Sequence, residues 1–236
     1  MGLGAASLFH LGGCSGSQVL KTQTADFRVS EDDSDDIGDG KRQSDVFLDE
    51  KGLPSQKDLM KPGPLGEKWL GAENAPVTMI KYASLTCPFC RVFHLKTYPD
   101  LKKQYINTGK IRYILREFPI GHSSGAATIV MRCLGQDNTK MFFALYDKFI
   151  TQQQAWVSLD VRRDAIYQVA SQVGITRKQF DTCFENQEII EGLKWVKQRG
   201  RDLGVTGTPT FFINGKKKRS VITLDDIREM AGSALA

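Results

Sequence analysis

The chain has 236 residues, 41% hydrophobic, 9% aromatic and 25% charged, enough to bury one sizeable core and a small subdomain. Its net charge is +5, but residues 26–50 carry ten acids against three bases, a local −7 that leaves the rest at +12. The bases of that remainder are scattered apart from Lys216-Lys217-Lys218-Arg219, which follows Asn214-Gly215 and reads as a solvated hairpin tip, so nucleic-acid binding is not expected.

No apolar run in the sequence is long enough to cross a bilayer as a helix. The first 14 residues are small and apolar and end in Leu11-Gly12-Gly13-Cys14, similar to the lipobox of bacterial lipoproteins, in which the cysteine becomes acylated. That resemblance makes Cys14 a lipidation candidate and residues 1–14 a signal segment. The alternative is an unprocessed N-terminus with an incidental cysteine, since no Lys or Arg precedes the apolar run. Residues 15–64 are polar, acidic and poor in periodic apolar positions, which predicts a flexible tether ending at Pro62-Gly63-Pro64.

The folded part begins after Asn74-Ala75-Pro76, where residues 77–82 read as a buried strand. Cys87-Pro88-Phe89-Cys90 opens a helical pattern that Gly109 closes, and residues 111–118 give a second strand with Ile111, Tyr113, Leu115 and Glu117 on one face. Together these form a βαβ unit. Residues 123–203 carry almost purely helical signals, with helices expected over 124–134, 139–150, 159–173, 176–185 and 188–203. Asp160 with Asp164, and Thr176 with Gln179, serve as start signals. Strands return at 210–213 and 219–222, and a closing helix over 224–231 follows Thr223. The predicted fold is α/β: a thioredoxin fold (mixed central sheet, flanking helices) over 65–122 and 204–236, interrupted by an all-helical insertion domain over 123–203.

A lone C-x-x-C serves zinc and redox sites alike. Here Cys87 follows a strand and stands at a helix N-terminus, where unpaired N–H groups and the helix dipole favour a thiolate. Pro88 suits the first helical turn. Cys90 lies one turn further in and is expected to be enclosed, so Cys87 is the attacking and attacked sulfur and Cys90 the resolving one. A zinc site built from Cys87, Cys90, His94 and a distant cysteine would want a second tightly spaced pair, which the sequence lacks; no metal is expected, and His94 reads as an ordinary helix residue near the site's rim. A second landmark is Gly207-Thr208-Pro209-Thr210, a proline entering a strand.

From Leu65 onward the chain resembles the DsbA group of bacterial thiol–disulfide oxidoreductases. The resemblance rests on Trp69-Leu70-Gly71, Ala75-Pro76-Val77-Thr78, Tyr82-Ala83-Ser84, Thr86-Cys87-Pro88-Phe89-Cys90, Phe93-His94 and Gly207-Thr208-Pro209-Thr210. It implies a cis Thr208–Pro209 bond facing the cysteines, with the Thr208 backbone free to pair with an extended substrate. It further implies a protein disulfide oxidoreductase of the periplasm or cell envelope, whose only redox group is the Cys87–Cys90 disulfide. Its partners would be reduced exported proteins and a quinone-linked, DsbB-like membrane reoxidase, and the protein itself is expected to be a monomer, tethered to the membrane if Cys14 is acylated. The alternatives are a reductase or isomerase on the same fold, or a non-catalytic chaperone or copper-binding dithiol protein.

Two departures from the family stand out. Phe89 replaces the His carried by its strongest oxidants, which makes Cys87 less acidic and the protein a milder oxidant than those relatives. Lys81 stands where relatives often bury a Glu; it is expected either to pair with Glu117 and handle the proton of Cys90, or to snorkel to the surface. Some α-proteobacterial relatives carry a second disulfide in the insertion. Cys133 and Cys183 would supply it, constraining the unfolded chain by about 3–4 kcal/mol; otherwise they are two small buried hydrophobes.

Overall fold

A computed structural model of the chain describes Met1 and residues 48–235. The expected signal segment with Cys14 lies outside the described residues, as does most of the stretch expected to be a tether.

The sheet has five strands: β1 (Lys68–Leu70), β2 (Val77–Ala83), β3 (Ile111–Glu117), β4 (Thr210–Ile213) and β5 (Lys216–Arg219), in the order β1-β3-β2-β4-β5. Only β2 and β3 run parallel. Their connection is α2 (Pro88–Lys96), continued through α3 (Tyr98–Leu101) and a π-helical turn. The period of two divides the strands between two cores. Val77, Met79, Ile111, Tyr113, Leu115, Phe211 and Ile213 face one; Ile80, Tyr82, Ile114 and Phe212 face the other.

Between β3 and β4 every regular element is helical: α4 (His122–Leu134), α5 (Thr139–Thr151), α6 (Gln153–Trp156), α7 (Arg163–Ala170), α8 (Arg177–Thr182) and α9 (Gln187–Asp202). Helix α8 opens on the Thr176–Gln179 capping box. The closing helix α10 (Leu224–Ala231) is likewise capped by Thr223 and Asp226.

Three expectations change and one strand is added. Residues 48–64, read as the end of a flexible tether, are packed on the sheet. Ser55 caps a short helix α1 (Gln56–Met60), Leu59 is buried beside Tyr82 and Phe212, and its carbonyl accepts from Arg116 at 2.6 Å. One buried leucine and a few long-range hydrogen bonds suffice to dock a segment whose composition alone looks unstructured. The last strand is the basic run itself rather than 219–222. Asn214 (φ 45°) and Gly215 (φ 84°) make a two-residue turn, so pairing resumes at once with Lys216 opposite Ile213. Lysines suit that edge position. The helix expected from 159 begins at Arg163, because the backbone carbonyls of Ser158 and Asp160 are taken by the hydroxyls of Ser123 (2.7 Å) and Ser158 (2.5 Å). Strand β1 was too short to show a period; its exit needs Gly71 (φ 96°), where a Cβ would lie 2.2 Å from the Ile111 carbonyl oxygen.

Cys133 of α4 and Cys183, just past α8, are joined in a disulfide with Cα atoms 5.7 Å apart. It closes a loop with a sequence separation of 50. Replacing both by alanine should lower stability by about 3–4 kcal/mol. Urea unfolding with Cys87 and Cys90 kept in one redox state checks this; an unchanged midpoint would show that the bond constrains nothing.

Candidate active site

Strand β2 delivers the chain into the turn 84–87, and α2 starts at Pro88 with Cys87 as its N-cap residue. Cys87 is half-buried and Cys90 is fully buried; both are free thiols. The cis Thr208–Pro209 bond brings the second landmark against the first, and the Cys87 thiol donates to the Thr208 carbonyl at 3.2 Å. Residues 118 positions apart in sequence, Cys90 and Thr208, thus flank one sulfur.

The helical insertion holds the turn from the other side. Gln153 Nε2 donates to the carbonyls of Leu85 (2.7 Å) and Cys87 (3.0 Å). The hydroxyls of Ser84 and Ser124 lie 2.8 Å apart, Ser84 Oγ also accepts from the Ile120 N–H, and Thr86 donates to the Ile120 carbonyl. Ser84 and Thr86 belong to the motifs quoted above, but Gln153 had no sequence signal: a glutamine within a polar run carries no periodicity.

The two thiols are driven apart electrostatically. Cys87 is lowered to about 5, chiefly by the hydrogen bond from the Cys90 thiol; burial opposes this, while Thr208 and the N–H groups of Cys90 and Phe89 at the helix start add to it. Cys90 is pushed well above the ordinary thiol value, first by burial and then by Cys87. A depressed pKa stabilises the dithiol form fully above the unfolded value, and that stability is lost as pH falls through the folded one. For Cys87 the window runs from 9.0 down to about 5. The dithiol protein should therefore lose stability relative to the disulfide form across that interval, read as the difference between their urea midpoints at successive pH values. A pH-independent difference would contradict the depressed thiol.

Lys81 neither pairs with Glu117 nor reaches the surface. It is fully buried and donates to Tyr146 Oη at 2.9 Å. Glu117 is taken by Arg132 of α4 in a two-pronged pair, at 2.5 and 2.6 Å, and Arg132 also reaches the Leu65 and Gly66 carbonyls. A guanidinium fork matches a carboxylate better than an ammonium does, which is why Arg132 wins. His94 is buried rather than at the rim: its Nε2 lies 2.9 Å from Asp147 Oδ1 and its ring stacks on Tyr98. Phe89, between the cysteines, is 61% exposed.

A thioredoxin family model matches residues 65–231, a span that contains both halves of the site. The chain belongs to the thioredoxin family. The DsbA-type resemblance read from its motifs is matched by fold. The crystal structure of α-DsbA1 from Wolbachia pipientis is 28% identical, with a TM-score of 0.68, covering 77% of this chain and 98% of that one. BdbD from Bacillus subtilis, at 20% identity and a TM-score of 0.66, shares the fold over 81% of this chain and 99% of its own. A Rickettsia bellii protein named "Putative protein-disulfide oxidoreductase" is 31% identical over 150 residues, 62% of this chain and 56% of that protein. This chain thus spans little more than half the length of such curated relatives.

Proposed function

We propose that this protein is a thiol–disulfide oxidoreductase of the bacterial cell envelope that donates disulfides to exported proteins through Cys87 and Cys90. The observation that carries the reading is the asymmetry of the pair: a half-buried Cys87 lowered to about 5 beside Thr208, and a buried Cys90 pushed upward. A substrate thiolate attacks Cys87 of the disulfide form, and the Cys87–Cys90 bond breaks with its electron pair going to Cys90. A second substrate thiolate then attacks the substrate sulfur of the mixed disulfide. Cys87 leaves as a thiolate, and an acidic thiol is a good leaving group. The electrons stay on the two cysteines, so the pair itself is the redox group.

The Thr208 backbone before Pro209 offers an extended edge on which a substrate segment pairs in the manner of an added strand. Phe89, between the cysteines, and Ile120, whose carbonyl accepts from Thr86, are both exposed and add apolar surface beside the pair for a substrate chain. A quinone-linked membrane reoxidase would return the pair to the disulfide, and acylation at Cys14 would tether the protein near it.

The test is the reduction potential of Cys87–Cys90, from equilibration with glutathione and quantification by mass spectrometry. A value well above roughly −200 mV supports a disulfide donor. One near roughly −270 mV makes the protein a reductase, and failure to form any reversible disulfide removes the enzymatic reading.

A further inference from the structure

Strand β5 is the basic run Lys216-Lys217-Lys218-Arg219, at the edge of the sheet beside β4. Lys217 donates to the Gly52 carbonyl at 2.9 Å and so holds the docked segment 48–64. Lys218 pairs with Asp226 of α10 at 2.6 Å, and the neighbouring Asp225 is taken by Arg228. Lys216 opens the strand opposite Ile213, at the end by the Asn214-Gly215 turn. Arg219 is different. It closes the strand opposite Thr210, one residue past the cis-proline, and among the described residues it makes no ion pair.

Its guanidinium lies over the loop that carries Thr208. A Cβ at Gly207 would be 2.8 Å from Arg219 Nη2 and 3.0 Å from its Nε, so a side chain there would push the guanidinium away. Gly207 is buried beneath it, while Arg219 itself stays exposed. Nη1 donates to Thr206 Oγ1 at 3.5 Å. The residue after Gly207 is Thr208, whose carbonyl accepts from the Cys87 thiol. The strand register thus makes Arg219 the charge of β5 closest to the backbone edge at Thr208. A guanidinium keeps its charge at every working pH and offers a planar fork of donors that matches a carboxylate.

We propose that Arg219 is a specificity-determining residue, selecting substrate chains that carry an aspartate or glutamate within about two residues of the reacting cysteine; this rests on the disulfide-donor reading above. Thr210, the partner of Arg219, is two positions beyond Thr208, about 7 Å of extended backbone, and that distance sets the reach. The substrate carboxylate accepts from the Arg219 fork while the substrate thiolate attacks Cys87. No bond of the exchange is altered by this contact, and the electrons follow the path already given. A basic residue at the same place in the substrate is repelled, so acidic neighbours are favoured and basic ones rejected together. The contact is exposed, which keeps its effect modest and makes it sensitive to salt.

In the experiment the full chain in disulfide form oxidises two-cysteine peptides that differ only in the residues flanking each cysteine: all Glu, all Gln or all Lys. Peptide disulfide is quantified by mass spectrometry. The quantity read is the Glu-to-Lys ratio of second-order rate constants, compared between proteins so that the peptides' own thiol reactivities cancel. The native ratio should exceed that of Arg219→Gln by about three- to five-fold. Arg219→Lys should keep most of the preference and Arg219→Glu should reverse it. Lys216→Gln, which removes the same charge from the far end of the strand, should keep the native ratio. A native ratio equal to that of Arg219→Gln would overturn the inference while leaving disulfide donation intact. Equal slowing with all three peptides in Arg219→Gln would do the same, because the side chain would then only hold the loop. A matching loss of ratio in Lys216→Gln would also overturn it, by making the preference a matter of net charge. Should Arg219→Gln not fold, the native ratio in dilute buffer and in about 1 M salt decides, with the peptides' reaction with hydroxyethyl disulfide as reference; a ratio that salt leaves unchanged overturns the inference. Native protein that oxidises none of the peptides would remove the disulfide-donor reading and this inference together.

Discussion

Replacing Cys90 by alanine should abolish disulfide donation while leaving Cys87 able to attack a small disulfide and hold half of it as a mixed disulfide. Cys87 keeps its place at the start of α2 and its neighbour Thr208, so it still reacts with an activated disulfide. With no resolving sulfur the mixed disulfide persists, and turnover falls by several orders of magnitude. Part of the thiol acidity should go as well, because the Cys90 hydrogen bond is the largest cause lowering Cys87. The adduct is counted by mass spectrometry after exposure to glutathione disulfide, and turnover by oxidation of a reduced model protein. Cys87→Ala serves as the contrast, expected to form no adduct, since the remaining sulfur is buried. Normal turnover by Cys90→Ala would remove the dithiol mechanism.

The largest effect on stability should come from breaking the Glu117–Arg132 pair. Both side chains are 2% exposed, and the guanidinium spans the carboxylate at 2.5 and 2.6 Å. Arg132→Ala leaves a buried carboxylate without its partner and also strips a donor from the carbonyls of Leu65 and Gly66. Removing one member of such a pair costs about 3–5 kcal/mol, a large fraction of a typical domain's stability. Replacing both partners with apolar residues of similar volume should cost much less, because no charge is then stranded. Urea denaturation of the single and double variants measures both. A loss below about 1 kcal/mol for Arg132→Ala would mean that water or another cation reaches Glu117.

The same residue shows where reading the chain in one dimension stops. Glu117 and Lys81 lie on the same face of adjacent parallel strands, in register with Ala83 and Leu115 respectively, so pairing them was a reasonable expectation from the strands alone. The competitor, Arg132, arrives on a helix whose packing no local pattern predicts. Gln153 reaches the Cys87 carbonyl in the same way, and Tyr146 reaches Lys81 across 65 positions.

What the sequence by itself determined is what depends on near neighbours. A proline after Cys87 and a strand before it place that sulfur at a helix start; a mostly apolar run makes β2 and an alternating one β3; Thr176–Gln179 and Thr223 start their helices. Such features are governed by backbone geometry within a few residues, so a short window contains all the physics they need. Only the tertiary structure decided which polar groups share a buried space. Burial makes pairing obligatory, yet several partners of suitable chemistry compete for each group, and the winner is set by how helices from distant parts of the chain pack on the sheet. That is why the place of Cys87 and Cys90 at a helix start was legible, while the partners of Lys81 and Glu117, the Gln153 clasp and the docking of residues 48–64 were not; the proline facing the pair was implied by the family resemblance and not by any short window.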